Sequence, residues 1–196
     1  MINKIVVYYI PIFLFGFIGL FVSCSSTKIR DNINGGFENY DSSDDEPDGW
    51  FTNNLPGTGR YVKLNIDNET VHSGDNSISI AILNSHPQKT AIYNWARRVD
   101  KFQTNKTYEL KAWIKTYGIK SSPFVEIQFW NKRAEIAKIS TIKKYNLTGT
   151  KNWRLVNSIF KIPKGTNRVL ILVGVSSTQN NGGKVWFDDI QFKRLN

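Results

Sequence analysis

Tyr108-Glu109-Leu110-Lys111-Ala112-Trp113-Ile114-Lys115-Thr116-Tyr117 alternates residue by residue between apolar and polar character. Successive side chains of an extended strand point to opposite faces of a sheet. Tyr108, Leu110, Ala112 and Ile114 therefore share one face, and Glu109, Lys111, Trp113 and Lys115 share the other. A helix would scatter both sets around its circumference. The stretch reads as a strand with one face toward a core and the other carrying charge and an indole.

The pattern repeats outward in both directions. Residues 61–66, 77–83, 90–99, 124–130, 153–162, 168–176 and 184–193 are rich in β-branched and aromatic side chains, the types that suit a pleated surface. Turn formers separate them, among them Pro56-Gly57, Ser73-Gly74, Ser121-Ser122-Pro123, Pro163-Lys164-Gly165 and Asn180-Asn181-Gly182-Gly183. Residues 131–142 are the only helix-like stretch, and they alternate nearly as well, so they too read as a strand. Many short strands with regular turns predict an all-β sandwich or barrel.

Lys4 is followed by an apolar run from Ile5 to Val22 and then by Ser23-Cys24. A charged start, an apolar core and a small residue at the end make a secretory signal. Eighteen apolar residues also suffice for a membrane-spanning helix, and a lone cysteine also suits a buried thiol. Pro11 and Gly16 in the run and Ser25-Ser26-Thr27 after it favour a processed signal and a short tether. Leu20-Phe21-Val22-Ser23-Cys24 resembles the lipobox of bacterial lipoproteins, with Phe21 where that motif prefers leucine. The resemblance implies a signal peptide over 1–23 and lipidation of Cys24, which would anchor the chain to a membrane. Ser25 rather than aspartate follows the cysteine, which in lipoproteins implies an outer-membrane lipoprotein, periplasmic or surface-exposed. Residues 24–32 read as a polar tether and 33–196 as one domain, expected to be a monomer. Cys24 is the only cysteine, so no disulfide is expected.

The chain has 26 Lys and Arg against 16 Asp and Glu, a formal charge of +10. Such a balance usually points to nucleic acid or anionic surfaces. Export argues against nucleic acid, and the cations are dispersed rather than blocked. A solvated basic surface, anionic lipid headgroups and an acidic glycan remain. Asp41, Asp44, Asp45, Glu46 and Asp48 form one acidic run, which reads as a solvated loop, with a soft cation site as the alternative.

Two further strands carry the candidate site. In Phe124–Trp130, Val125, Ile127 and Phe129 form the apolar face; Phe124, Glu126, Gln128 and Trp130 form the other. In 92–99, Tyr93, Trp95 and Arg97 fall together. Trp95, Trp113 and Trp130 thus stand among charged and amide side chains. A tryptophan on a polar sheet face either packs under a loop or meets a ligand. A pyranose suits the second case, because its C–H faces stack on aromatic rings and its hydroxyl rim needs polar partners. The expectation is that Trp95 and Trp130 stack on sugar, with Tyr93 and Trp113 beside them and Arg97, Glu126 and Gln128 satisfying hydroxyls. Trp50, Trp153 and Trp186 are read as structural.

Other segments carry a family resemblance. They are Asn34-Gly35-Gly36-Phe37-Glu38, Pro47-Asp48-Gly49-Trp50, His72-Ser73-Gly74-Asp75-Asn76-Ser77, Tyr108-Glu109-Leu110, Trp153 and Gly183-Lys184-Val185-Trp186-Phe187-Asp188-Asp189-Ile190. In this order they resemble the carbohydrate-binding modules of the family 4/9/22 type, which have the galactose-binding-like jelly-roll fold. The resemblance covers nearly all of 33–194. It implies a β-sandwich, a polysaccharide or oligosaccharide ligand, and a structural Ca²⁺ held by Glu38 and Asp188, with Gly36, Ser73 and Asn76 as further ligands. Two carboxylates and neutral oxygens are a set that Ca²⁺ accepts. Ser73 departs from the stronger acidic ligand often found there. The competing arrangement is a dry junction with both acids bound to backbone amides, and Asp189 is expected to point away and stay solvated.

His72 and His86 are the only histidines, and they make neither zinc spacing nor an obvious base for a nucleophile. No nucleophile elbow or phosphate loop is present. The reading is therefore a non-enzymatic, polysaccharide-binding envelope lipoprotein. Two alternatives stand beside it: a structural or adhesion module for protein partners, and an envelope accessory subunit contacting anionic lipid or an acidic polymer.

Overall fold

The computed structural model describes residues 33–41, 43, 46–52, 58–87, 91–177 and 179–195. The expected signal peptide and tether, with Cys24, lie outside the described residues. The described chain contains ten strands and one 3-10 turn, Thr58–Arg60. The strands are β1 (Trp50–Thr52), β2 (Val62–Asp67), β3 (Ser77–Ile82), β4 (Ile92–Val99), β5 (Thr107–Ile119), β6 (Phe124–Trp130), β7 (Glu135–Ser140), β8 (Gly149–Lys161), β9 (Arg168–Ser176) and β10 (Lys184–Arg194).

They pair into two antiparallel five-stranded sheets, ordered β1-β4-β9-β6-β7 and β2-β3-β10-β5-β8. The architecture is the expected all-β sandwich. Each strand read from the sequence is present, including β7 in the stretch that resembled a helix. The three-residue β1 was not anticipated; it pairs Trp50 with Arg97 and Thr52 with Trp95.

Between the sheets lies one apolar core. Val125, Ile127 and Phe129 of β6 and Val169, Ile171 and Val173 of β9 meet Ile78, Ile80, Leu110, Ile114, Val185 and Phe187 of the second sheet. Burying an aliphatic or aromatic side chain of this kind contributes about 1.5–3 kcal/mol each, which is what closes a sandwich without disulfides. One polar side chain seals an end of it. Fully buried Asn180 accepts from the amides of Lys120 and Ser121 and donates to Ser176 O and Ser121 Oγ, at 2.7–2.9 Å. Its Asn-Asn-Gly-Gly turn is thereby stitched to the β5–β6 loop.

Candidate functional site: an open sheet face

Register determines which side chains leave the core. Along β4, Tyr93, Trp95, Arg97 and Val99 share the inward parity, and Asn94, Ala96 and Arg98 point outward. Trp95 pairs with Val173, and Val173 with Val125, all buried. Ala96 pairs with Leu172, and Leu172 with Glu126. The outer face of the first sheet therefore carries rows that run straight across its strands. One is Phe51–Ala96–Leu172–Glu126–Ser140. The next is Arg98–Leu170–Gln128–Lys138. Leu170 and Leu172 stay partly exposed in the middle, and Phe51 is 36% exposed at the edge.

The floor is shaped by a glycine. A Cβ on Gly174 would lie 2.6 Å from Tyr93 O, 2.7 Å from Phe124 Cζ and 2.8 Å from Asn94 Cβ. The Phe124 ring occupies the space that a side chain at Gly174 would need. Beside it, Asn94 Nδ2 is buried with no hydrogen-bond partner among the described residues.

A polar ladder climbs β6 on this face. Trp130 Nε1 donates to Gln128 Oε1 at 3.1 Å, and Gln128 Nε2 donates to Glu126 Oε1 at 2.8 Å. These side chains alternate with the core residues of β6, so they are neighbours at i, i+2 on one face. The Arg168 guanidinium lies 4.8 Å from the Trp130 ring centroid, a cation–π contact. Apolar floor, one indole and a fixed row of amide and carboxylate groups suit a ligand with apolar faces and a hydroxyl rim.

The structure brings together Trp130, Glu126 and Gln128, and it removes the other predicted contacts. Trp95 is 1% exposed, and its Nε1 donates across the core to Ser79 O at 3.3 Å. Tyr93 is 3% exposed. Both belong to the core because the shared face of Tyr93, Trp95 and Arg97 is the inward one; alternation groups side chains but does not say which group faces water. Arg97 has the same parity at the sheet edge. Its guanidinium fills the space above Gly49, which has φ 75, and Nη1 donates to Asp48 O at 3.4 Å. It supports the 47–50 turn and does not reach the open face. Trp113 projects from the second sheet, on the opposite side of the molecule, where the His72 ring stacks on it at 3.9 Å and 17°.

Trp50, Trp153 and Trp186 hold structure, as read. Trp50 is 2% exposed and its Nε1 donates to Ile33 O. Trp186 Nε1 donates to Asp67 Oδ2 at 2.8 Å, and Trp153 meets His72 edge-on. A separate cavity of about 820 Å³ opens between edge strands β1 and β2, with Thr52, Leu64, Ile66 and Trp95 in its wall; it lies away from the outer face.

The residues missed by sequence were Leu170, Leu172, Asn94, Phe51, Arg98 and Arg168. A signal existed. Val169, Leu170, Ile171, Leu172 and Val173 are apolar without alternation, so β9 has two apolar faces. Only one of them is covered by the second sheet.

At the acidic junction, Glu38 Oε1 accepts from the amides of Asp75 and Asn76, and Oε2 from Asn76 Nδ2, at 3.0–3.2 Å. Asp188 Oδ2 accepts from the amides of His72 and Ser73, and Oδ1 from that of Asp189. Asn76 and Ser73, offered as metal ligands, both act as donors; Ser73 Oγ donates to Asp189. Both carboxylates are met by backbone N–H groups, which is the arrangement of the dry junction that competed with the metal reading. Gly36 lies next to both Glu38 and Asp189. Asp189 does not stay solvated. A bulge breaks β10 between Asp188 and Gln191, with Asp189 at φ 48, and this turns its carboxylate onto His72 Nδ1 at 2.6 Å and Ser73 Oγ at 2.9 Å. Serine, aspartate and histidine meet here, but the hydroxyl donates to the carboxylate and not to the imidazole, the wrong order for activating a nucleophile.

No family model matches the chain. Among curated proteins, the tRNA nuclease WapA of Bacillus subtilis (strain 168) is 23% identical over 174 residues, covering 88% of this chain and 7% of its own length. Among solved structures, the enzymatically active domain of bacteriophage CBA120 tailspike protein 4 aligns over 84% of this chain and 21% of its own, with a TM-score of 0.60 and 16% identity. A family 16 carbohydrate-binding module aligns over 83% of this chain and 99% of its own, TM-score 0.55, 18% identity. A family 61 module in complex with β-1,4-galactotriose aligns over 84% and 99%, TM-score 0.51, 19% identity. This chain thus spans a small part of the nuclease and the tailspike, and nearly the whole of each carbohydrate-binding module. The fold is the β-sandwich jelly roll of those modules.

Proposed function

We propose that this protein binds polysaccharide without catalysis, on the outer face of the β1-β4-β9-β6-β7 sheet, as a lipoprotein anchored to the cell envelope through Cys24. The observation that carries the reading is the solvent-facing pair of rows in which Leu170 and Leu172 lie beside the Glu126–Gln128–Trp130 ladder. Sugar rings stack on the apolar floor and on Trp130, while Glu126 and Gln128 accept and donate to hydroxyls. Further support comes from the fold shared with carbohydrate-binding modules, one of which was solved with β-1,4-galactotriose, and from the lipobox-like Leu20–Cys24.

A glycan array probed with the full-length protein in detergent tests this. Trp130→Ala is expected to weaken retention roughly tenfold, the scale of one lost aromatic contact. Trp113→Ala should leave retention unchanged. Trp95→Ala should cost about 3–5 kcal/mol of stability, as for any large core truncation. Loss of binding in Trp113→Ala but not in Trp130→Ala would move the site to the opposite face, and no retention on any glycan would overturn the reading. A protein-binding role draws on a different observation: Leu155 and Ile159 are 44% and 62% exposed on edge strand β8, and edge strands invite pairing.

A further inference from the structure

The open face has a charge pattern that narrows the class of glycan, granted that the face binds saccharide at all. The row Arg98–Leu170–Gln128–Lys138 runs cation, apolar, amide, cation across four strands. Three inter-strand steps of about 4.8 Å put the two cations' backbones roughly 14 Å apart, a span that their long side chains can close around a ligand lying on the floor between them. Both residues are exposed, and neither makes an ion pair among the described residues. Arg168, over Trp130, adds a third cation, and Lys132 and Arg133 stand exposed in the adjoining β6–β7 turn. Against these the same region sets Glu126, which is engaged by Gln128, exposed Glu135, and Asp100 just beyond β4, which pairs with Arg97. On the second sheet two cations are paired, Lys184 with Asp67 and Lys111 with Glu109, while Lys63 and Lys193 are exposed and make no ion pair among the described residues.

A neutral sugar needs donors and acceptors but no net charge, and unpaired cations flanking an apolar floor attract carboxylates. We infer that the ligand of this face is an acidic glycan of the polyuronate class, its carboxylates meeting Arg98 and Lys138 while its ring faces and hydroxyls occupy Leu170, Leu172, Gln128 and Trp130.

The test is the affinity of the full-length protein for polygalacturonate, alginate and glucuronoxylan, each beside its carboxyl-reduced, neutral counterpart. At least one acidic polymer should bind more tightly than its reduced form, and the preference should shrink with added salt. Arg98→Gln with Lys138→Gln should lower affinity for that polymer roughly fivefold, the scale of two exposed charge contacts, and leave affinity for the neutral form unchanged. Lys63→Gln with Lys193→Gln removes the same charge from the opposite sheet and should change neither. Equal binding of acidic and reduced polymers overturns this inference and leaves saccharide binding standing. Equal losses from the two double variants also overturn it, because the overall charge of the protein would then be the cause. Binding of none of the polymers, acidic or neutral, overturns both.

Discussion

Asp188 is fully buried, and burial sets its chemistry. Loss of solvation raises its pKa from 3.8 to about 6, with the neighbouring Asp189 carboxylate adding to the rise; the amides of His72, Asp189 and Ser73 pull the other way. The folded state therefore favours the protonated acid. Its contribution to stability is complete below the unfolded pKa near 3.8 and is lost as pH rises through about 6. Urea unfolding at pH 4 and pH 7 should show wild type losing on the order of 2–3 kcal/mol relative to Asp188→Asn over that interval. A constant difference would mean that the three amides hold the carboxylate ionised throughout. At this scale the sequence was legible in part. The motif residues Glu38, Ser73, Asn76 and Asp188 do assemble. Whether they meet as ligands of a cation or as acids and donors depends on the direction of N–H bonds, which residue identity does not encode. Asp189 misled for a related reason: a bulge cancels the alternation that would have sent it outward.

Strands were the most legible level, because alternation and turn residues report on local geometry. Parity was read correctly on β5 and β6, where aliphatics mark the inner face. It failed on β4. There the inward group contains Tyr93, Trp95 and Arg97, and the outward one Asn94, Ala96 and Arg98, so polarity alone ranks the wrong face as exposed. The small outward residues of the central strands have a positive role, because Ala96 and Gly174 keep the floor low. Gly174→Ala should destabilise by about 1–3 kcal/mol through overpacking, since the backbone oxygen of Tyr93 cannot move aside as a side-chain tip can. Chemical denaturation measures this. A neutral effect would show that Phe124 and β4 shift to make room, and that the floor is not rigidly set by this glycine.

For the whole molecule, alternating strands established the all-β sandwich, but not which of its two outer faces is usable. That depends on long-range pairing. All four outer indoles are partly buried; on the second sheet they meet His72 and the Asp67 and Lys184 side chains, and on the first Trp130 meets Arg168 on a face that also carries two partly exposed leucines. The six tryptophans are spread over the core and both faces, and their indole N–H resonances report on each location separately. The most direct measurement is a titration of the protein with an oligosaccharide retained on the array, followed by ¹H–¹⁵N correlation of those six signals. The Trp130 indole, together with the amides of Gln128, Leu170 and Leu172, should shift while those of Trp50, Trp95, Trp113 and Trp186 hold still. Shifts centred on Trp113 and Trp186, with Trp130 unmoved, would contradict the account.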